Sequence, residues 1–263
     1  MTTILLARHG QASFGQENYD QLSDLGSIQA QMLGQHYASI ERRIDAIFTG
    51  SLNRQQESAR HFWQSYQTLF STDDGHDDGH DDERIETPIV TAIDLDKPDS
   101  YVLPQFDEFN HKDVLFTSDP AFNSRSAIAS EIAKARTPST RLAEIFDGAM
   151  QRWHGGNHDE DYIESWPEFS HRAQQALAQV HHKIESLGLD DDSTVLVFTS
   201  GGVIAALTAQ FLQQGSLTAY QINKSLVNTG VTSITVKNER TRLLSLNEYS
   251  HLISGGESFV TWR

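Results

Sequence analysis

The chain predicts an α/β fold: a single doubly wound, mostly parallel sheet with helices on both faces. Three observations predict it. Short, wholly apolar runs, ILLA at residues 4–7, AIF at 46–48 and VLVF at 195–198, read as strands buried on both sides. Each run ends in a polar turn that leads into a stretch of helical periodicity, the alternation that builds parallel sheets. A length of 263 residues is enough for one large core without covalent staples.

The elements follow in order. Ile4 to Ala7 forms the first strand, ending in Arg8, His9 and Gly10. Leu25, Ile28, Met32 and His36 then recur at helical spacing, with Ser23 or Asp24 available as a cap. Ala46 to Phe48 is a second strand, cut off by Thr49 and Gly50, after which Ser51 can cap a helix carrying Leu52, Arg54, Phe62 and Tyr66. Glu168 to Leu187 reads as a helix, Val195 to Phe198 as a strand, and Val203 to Leu212 as the helix after Gly201 and Gly202. Thr232 to Val236 and Leu243 to Leu246 read as a closing pair of strands.

Two segments interrupt this pattern, and both read as insertions in one domain spanning 1–263. Near 71–84 the DDGH repeat is too charged to bury. Near 98–139, prolines at 98, 104, 120 and 138 suggest an irregular excursion over one edge of the sheet.

Composition removes several function classes. With 36 acidic against 20 basic residues the formal charge is −16, which argues against nucleic acid or an anionic membrane as partner. The chain has 0 cysteines, so disulfides, thiolate metal sites and cysteine nucleophiles are excluded. No run approaches the roughly 18 apolar residues of a membrane span, and the N-terminus lacks the basic and apolar regions of a secretory signal. The expectation is a soluble, cytoplasmic protein.

In an open α/β sheet, ligands gather beyond the carboxyl ends of the strands. Three such ends carry groups suited to phosphate: Arg8 and His9; Arg54 in the first turn of its helix; and Ser200, Gly201 and Gly202 at a helix start. Arginine offers a planar fork to phosphate oxygens, and glycine lets backbone N–H groups approach an anion. His9 is placed to attack a phosphoryl group while the arginines neutralise its charge. A carboxylic acid is then needed to protonate the leaving oxygen and to activate water afterwards. Glu108, in LPQFDEFNH, is the best candidate among the 36 acids, although spacing alone does not select it.

LLARHGQAS, YDQLSDLGSIQAQMLG, FTGSLNRQQESA, VLVFTSGGVIAAL, and finally NTGVTSI with SLNEYSHL occur in an order that resembles the histidine phosphatase superfamily, also called phosphoglycerate mutase-like. The resemblance covers most of the chain apart from the acidic repeat and much of the middle excursion. It implies His9 as the phosphorylated nucleophile, Arg8 and Arg54 as phosphate clamps and Glu108 as proton donor, without a metal or other cofactor. Gln11, Ser13, Asn18 and Tyr19 line the mouth in this reading.

One position departs from the family. Where FTSGG has Ser200, the family usually places a second histidine that contacts the transferring group. A hydroxyl still donates a hydrogen bond but brings no imidazolium charge. Losing one preorganised donor costs roughly 2.7 to 4 kcal/mol, about 10² to 10³ in rate, small against the accelerations of phosphomonoester hydrolysis. His111, His154 and His251 are possible replacements. The reading is therefore a phosphatase acting on a small phosphomonoester or a phosphoprotein. The alternative is a catalytically impaired phospho-ligand binding or scaffold protein of the same fold.

Other motifs carry less. The DDGH repeat matches no ordinary calcium loop, and HGGNH, with His154 and His158, lies in a glycine-rich turn, so no metal site is assigned. A serine hydrolase on Ser200 would need glycine at position 198, where Phe198 stands.

Overall fold

A computed structural model describes residues 1–13, 20–70, 101–189, 191–237 and 240–262. The acidic repeat near 71–84, together with Asn18 and Tyr19, lies outside the described residues.

The sheet among the described residues has five strands: β1 (Thr2–Arg8), β2 (Ala46–Thr49), β3 (Thr194–Thr199), β4 (Val231–Lys237) and β5 (Arg240–Glu248). Their order is β2-β3-β1-β4-β5. β1 and β2 each pair in parallel with β3, whereas β4 is antiparallel to both β1 and β5, so only β4 runs against the other strands. Arg8 pairs with Thr199 and Thr49 with Phe198, so the three parallel strands finish level. His9, Gly50 and Ser200 therefore leave the sheet side by side.

Alternation along β1 divides the core. Ile4 and Leu6 enter one cluster with Phe48, Val195, Val197, Phe169, Trp153 and Val203. Leu5 and Ala7 enter a second with Leu33, Ile47, Phe62, Leu196 and Phe198. Successive strand side chains point to opposite faces, so an uninterrupted apolar strand must be covered on both. Helices α1 (Asp24–Ser39) and α2 (Asn53–Phe70) cover the second face.

In α1, Ser23 is the N-cap and accepts from the Gly26 N–H. Its buried face is Gly26, Gln29, Ala30, Leu33, Gly34 and Tyr37, whereas the apolar Ile28 is 42% exposed. Close approach decides this. A Cβ on Gly34 would stand 2.3 Å from the Phe62 carbonyl oxygen of α2, so the glycine-bearing side is the one that fits.

The middle of the chain differs from the irregular excursion expected. It carries α3 (His111–Ser118), α4 (Arg125–Lys134) and α5 (Pro138–His154). Pro138 occupies the first turn of α5, and Pro104 and Pro120 open short 3-10 turns at Pro104–Phe106 and Pro120–Phe122. Proline is tolerated where the N–H has no helical acceptor anyway, so here it starts elements rather than breaking them. The segment enters along β2, where Thr49 bridges Val102.

The remaining helices are α6 (Trp166–Ser186), α7 (Gly201–Phe211), α8 (Ser216–Ser225) and α9 (Ser250–Ile253). Ser165 and Glu168 close α6 with a reciprocal capping box. No helix of the described residues is long and apolar enough to cross a membrane.

His154 ends α5 in an aromatic nest, with ring centroids 4.1 Å from Trp166 and 5.5 Å from Tyr220. Its buried Nδ1 has no hydrogen-bond partner among the described residues. Burial lowers its pKa to about 4. An unfolded histidine takes up its proton near pH 6.5, so between there and about pH 4 the unfolded chain binds more protons than the folded one. Stability is therefore full above this window and falls as pH drops through it, by about 2 kcal/mol at pH 5. His154→Phe should remove most of this loss, read as a smaller difference in urea midpoint between pH 7 and pH 5.

Candidate active site

The strand ends converge on His9. Its imidazole is 5% exposed, with Nδ1 2.7 Å from the Gly10 carbonyl oxygen and Nε2 3.2 Å from Arg54 Nε. A carbonyl only accepts, and the guanidinium N–H only donates. Nδ1 therefore carries the proton and Nε2 presents its lone pair. Burial, then the fields of Arg54 and Arg8, hold the His9 pKa well below its ordinary value, so the ring is neutral at physiological pH.

The surroundings fix the ring by its backbone. The His9 N–H donates to the Thr199 carbonyl at 2.9 Å, and Asn228 Nδ2 donates to the His9 carbonyl at 3.2 Å. Gly10 must be glycine because a Cβ there would stand 2.3 Å from the Gly26 carbonyl oxygen.

Arg54 is 6% exposed in the first turn of α2. Besides meeting His9, its Nη1 lies 2.7 Å from Asp20 Oδ1, while Asp20 Oδ2 accepts the Asn53 N–H at 3.0 Å. The Asp20 carboxylate thus holds a guanidinium and a helix N-terminus together, as a phosphate could. Arg8 Nη1 reaches the carbonyls of Leu226 and Trp262 at 2.5 and 3.2 Å.

Glu108 comes into the same site. Its Oε2 accepts the Gly202 N–H at 3.2 Å, and Arg54 and Arg8 are close enough to act on its charge. Burial raises its pKa above the ordinary 4.5, against the opposing Gly202 hydrogen bond and both arginines. The two shifts have a joint consequence. With ordinary values, any pH that leaves histidine neutral also ionises glutamate. Lowering one and raising the other shifts the pair toward a neutral imidazole facing a protonated carboxyl, the state that a nucleophile and a general acid would need.

The glycine pair at the start of α7 permits this closeness. A Cβ on Gly202 would lie 2.2 Å from Glu108 Oε1, and one on Gly201 would lie 2.5 Å from Asn223 Oδ1 and 3.4 Å from Arg8 Nε. Ser200 is fully buried, and its Oγ accepts from Gln55 Nε2 at 2.8 Å. Both Gln55 amide hydrogens are engaged, the second with the Phe106 carbonyl at 3.0 Å. A larger side chain at 200 must therefore displace the Gln55 carboxamide. Ser200→His should lower stability by about 1–3 kcal/mol, the usual cost of overpacking. Adding Gln55→Ala should recover most of the lost Tm by opening the needed volume.

Gln11 and Ser13 turn toward the loop before α1. Gln11 Oε1 accepts from Ser23 Oγ at 3.0 Å, and Ser13 Oγ donates to the Leu22 carbonyl at 2.9 Å. Of the three candidate replacements for an imidazole at 200, only His111 lies in the field of Arg54, which with burial, the larger cause, lowers its pKa. His154 belongs to the aromatic nest, and His251 bonds Thr229 Oγ1 at 2.9 Å. Among the described residues, no group of three or more histidine or carboxylate side chains is arranged to hold a metal ion.

Sequence reasoning missed Asp20 and Gln55. Gln55 left a signal: it shares a buried stripe with Ser58, Ala59, Phe62 and Tyr66, and a carboxamide on a buried face must have partners. Asp20 left none, since one acid in a polar loop resembles the others.

The architecture and the clustered arginine-histidine pair define an α/β protein with the phosphoglycerate mutase-like fold. Solved structures share it: Entamoeba histolytica phosphoserine phosphatase is 16% identical with a TM-score of 0.58, covering 96% of this chain and 100% of its own. Bacillus anthracis phosphoglycerate mutase is 14% identical with a TM-score of 0.59, covering 97% of each chain. A mycobacterial glucosyl-3-phosphoglycerate phosphatase, solved with inorganic phosphate, is 19% identical with a TM-score of 0.56, covering 95% of this chain and 98% of its own. No curated protein matches the chain. The family model of the histidine phosphatase superfamily, branch 1, matches residues 4–77 and 134–249, and the chain belongs to that family.

Proposed function

We propose that the protein hydrolyses a small phosphomonoester through a phosphohistidine on His9. The observation that carries this reading is the state of the imidazole: neutral, with Nδ1–H held by a carbonyl and the Nε2 lone pair turned toward a guanidinium. Arg54 Nε must yield Nε2 to an incoming phosphoryl group, whose oxygens then take its N–H groups and those of Arg8. Nε2 attacks phosphorus and the ester P–O bond breaks. Glu108 gives its proton to the leaving oxygen, and the alcohol departs. The carboxylate then takes a proton from water, the water oxygen attacks phosphorus, and the N–P bond breaks. Inorganic phosphate leaves, and both side chains return to their starting states.

His9 and Arg54 are 5% and 6% exposed, so a slim phosphoryl end fits this site better than a broad surface. The test is chemical trapping: the protein is mixed with an aryl phosphate, quenched in alkali and digested. An acid-labile phosphate on the peptide carrying His9 is the expected result. Turnover without it would refute the covalent scheme. Phosphate raising Tm with neither turnover nor label would instead favour a binding or scaffold role, the reading that the sealed Ser200 hydroxyl suggests.

A further inference from the structure

Glu108 lies in an irregular stretch, yet three consecutive carbonyls just before it are each held by a side chain from another element. Gln55 Nε2 and Thr199 Oγ1 both donate to the Phe106 carbonyl, at 3.0 and 2.8 Å. On either side, Arg172 Nη1 donates to the Gln105 carbonyl at 2.9 Å and the Asp107 carbonyl at 2.8 Å. Arg172 is itself fixed from behind. Its Nε and Nη2 meet the Glu164 carboxylate at 2.6 and 2.9 Å, and its guanidinium lies 5.0 Å from the centre of the Phe169 ring. The Asp107 carboxylate is tied to the start of α2 through the Ser51 N–H and hydroxyl. Phe106 and Phe109 anchor the stretch in the core on both sides of Glu108.

We infer that Arg172 is a positioning residue for the general acid: it sets the backbone from which Glu108 reaches the site, without touching the site itself. The inference rests on reading Glu108 as the proton donor. A two-carbonyl fork braced by a bidentate carboxylate fixes a chain direction, where a single hydrogen bond leaves a pivot. A shift of about 1 Å in a catalytic group is costly, because proton transfer needs near-contact geometry. Loss of the brace should therefore show where the acid matters and nowhere else. Esters of alcohols need a proton on departure, whereas nitrophenolate leaves without one.

The experiment compares the wild type, Arg172→Met and Glu108→Gln on an alkyl phosphate and on nitrophenyl phosphate. Methionine keeps an apolar stem against Phe169 but has no N–H donors. Arg172→Met is expected to lower kcat/KM for the alkyl ester about 10- to 100-fold, within the range of acid catalysis, and for the nitrophenyl ester less than about threefold. Glu108→Gln should show the same bias, larger. If Glu108→Gln is biased but Arg172→Met loses equally on both esters or on neither, the positioning role is overturned. If Glu108→Gln itself loses equally on both, the proton-donor reading fails and the positioning role falls with it. Should Arg172→Met not fold, Glu164→Gln releases the brace while leaving the guanidinium in place. It is expected to show the bias in weaker form, and no bias there also overturns the inference.

Discussion

His9→Ala is expected to lower kcat at least about 10⁴-fold while leaving the fold and the phosphate clamp in place. The size follows from what is removed. Without Nε2 the proposed covalent intermediate has no attacking atom, and only direct attack by water would remain. The loss is chemical rather than structural, since the backbone bonds of His9 to Thr199 and Asn228 survive the substitution. Phosphate or vanadate should therefore still raise the Tm of the variant, by the mass action of a ligand that binds only the folded state. Equal rates for variant and wild type would remove His9 from the mechanism.

Arg54→Gln should have the next largest effect, about 10³-fold on kcat/KM, because an arginine that neutralises a transferring phosphoryl group carries much of the stabilisation. It also changes the pH profile with a definite sign. Arg54 is one of the causes that lower the pKa of His9, and it lowers that of Glu108 as well. Removing the cation lets both rise. Both limbs of kcat/KM, one set by the His9 imidazole and the other by the Glu108 carboxyl, should move to higher pH. The whole window shifts upward, and a profile that loses amplitude without moving would show that Arg54 holds phosphate but does not tune the pair.

The sheet and the centre of the site were legible in the sequence because they rest on local signals. ILLA, AIF and VLVF are short, apolar without interruption and cut off by polar turns, as a strand covered on both faces would be, and all three fall within observed strands. The residues just past those strand ends, Arg8, His9, Arg54 and Ser200, are brought together by register, and register follows from the same runs. The face of α1 was not legible. Periodicity weighs side-chain hydrophobicity, whereas this helix is seated by the absence of side chains at Gly26 and Gly34. The three helices of the middle segment were hidden by prolines that in the structure sit at element starts. Gln55, Asp20 and Arg172 act through partners 145, 34 and 65 residues away, and even where a buried carboxamide signals that it needs a partner, a single sequence does not say which one.

β1 has a ladder on each edge, to β3 and to β4, and a packed layer above and below. His9, the proposed nucleophile, is the first residue beyond it, so its anchorage is the part of the molecule that local breathing reaches last. Substrate must accommodate to the imidazole rather than the reverse. Disturbance should therefore reach the site first through the helix that carries Arg54, while the imidazole stays seated until the sheet itself gives way.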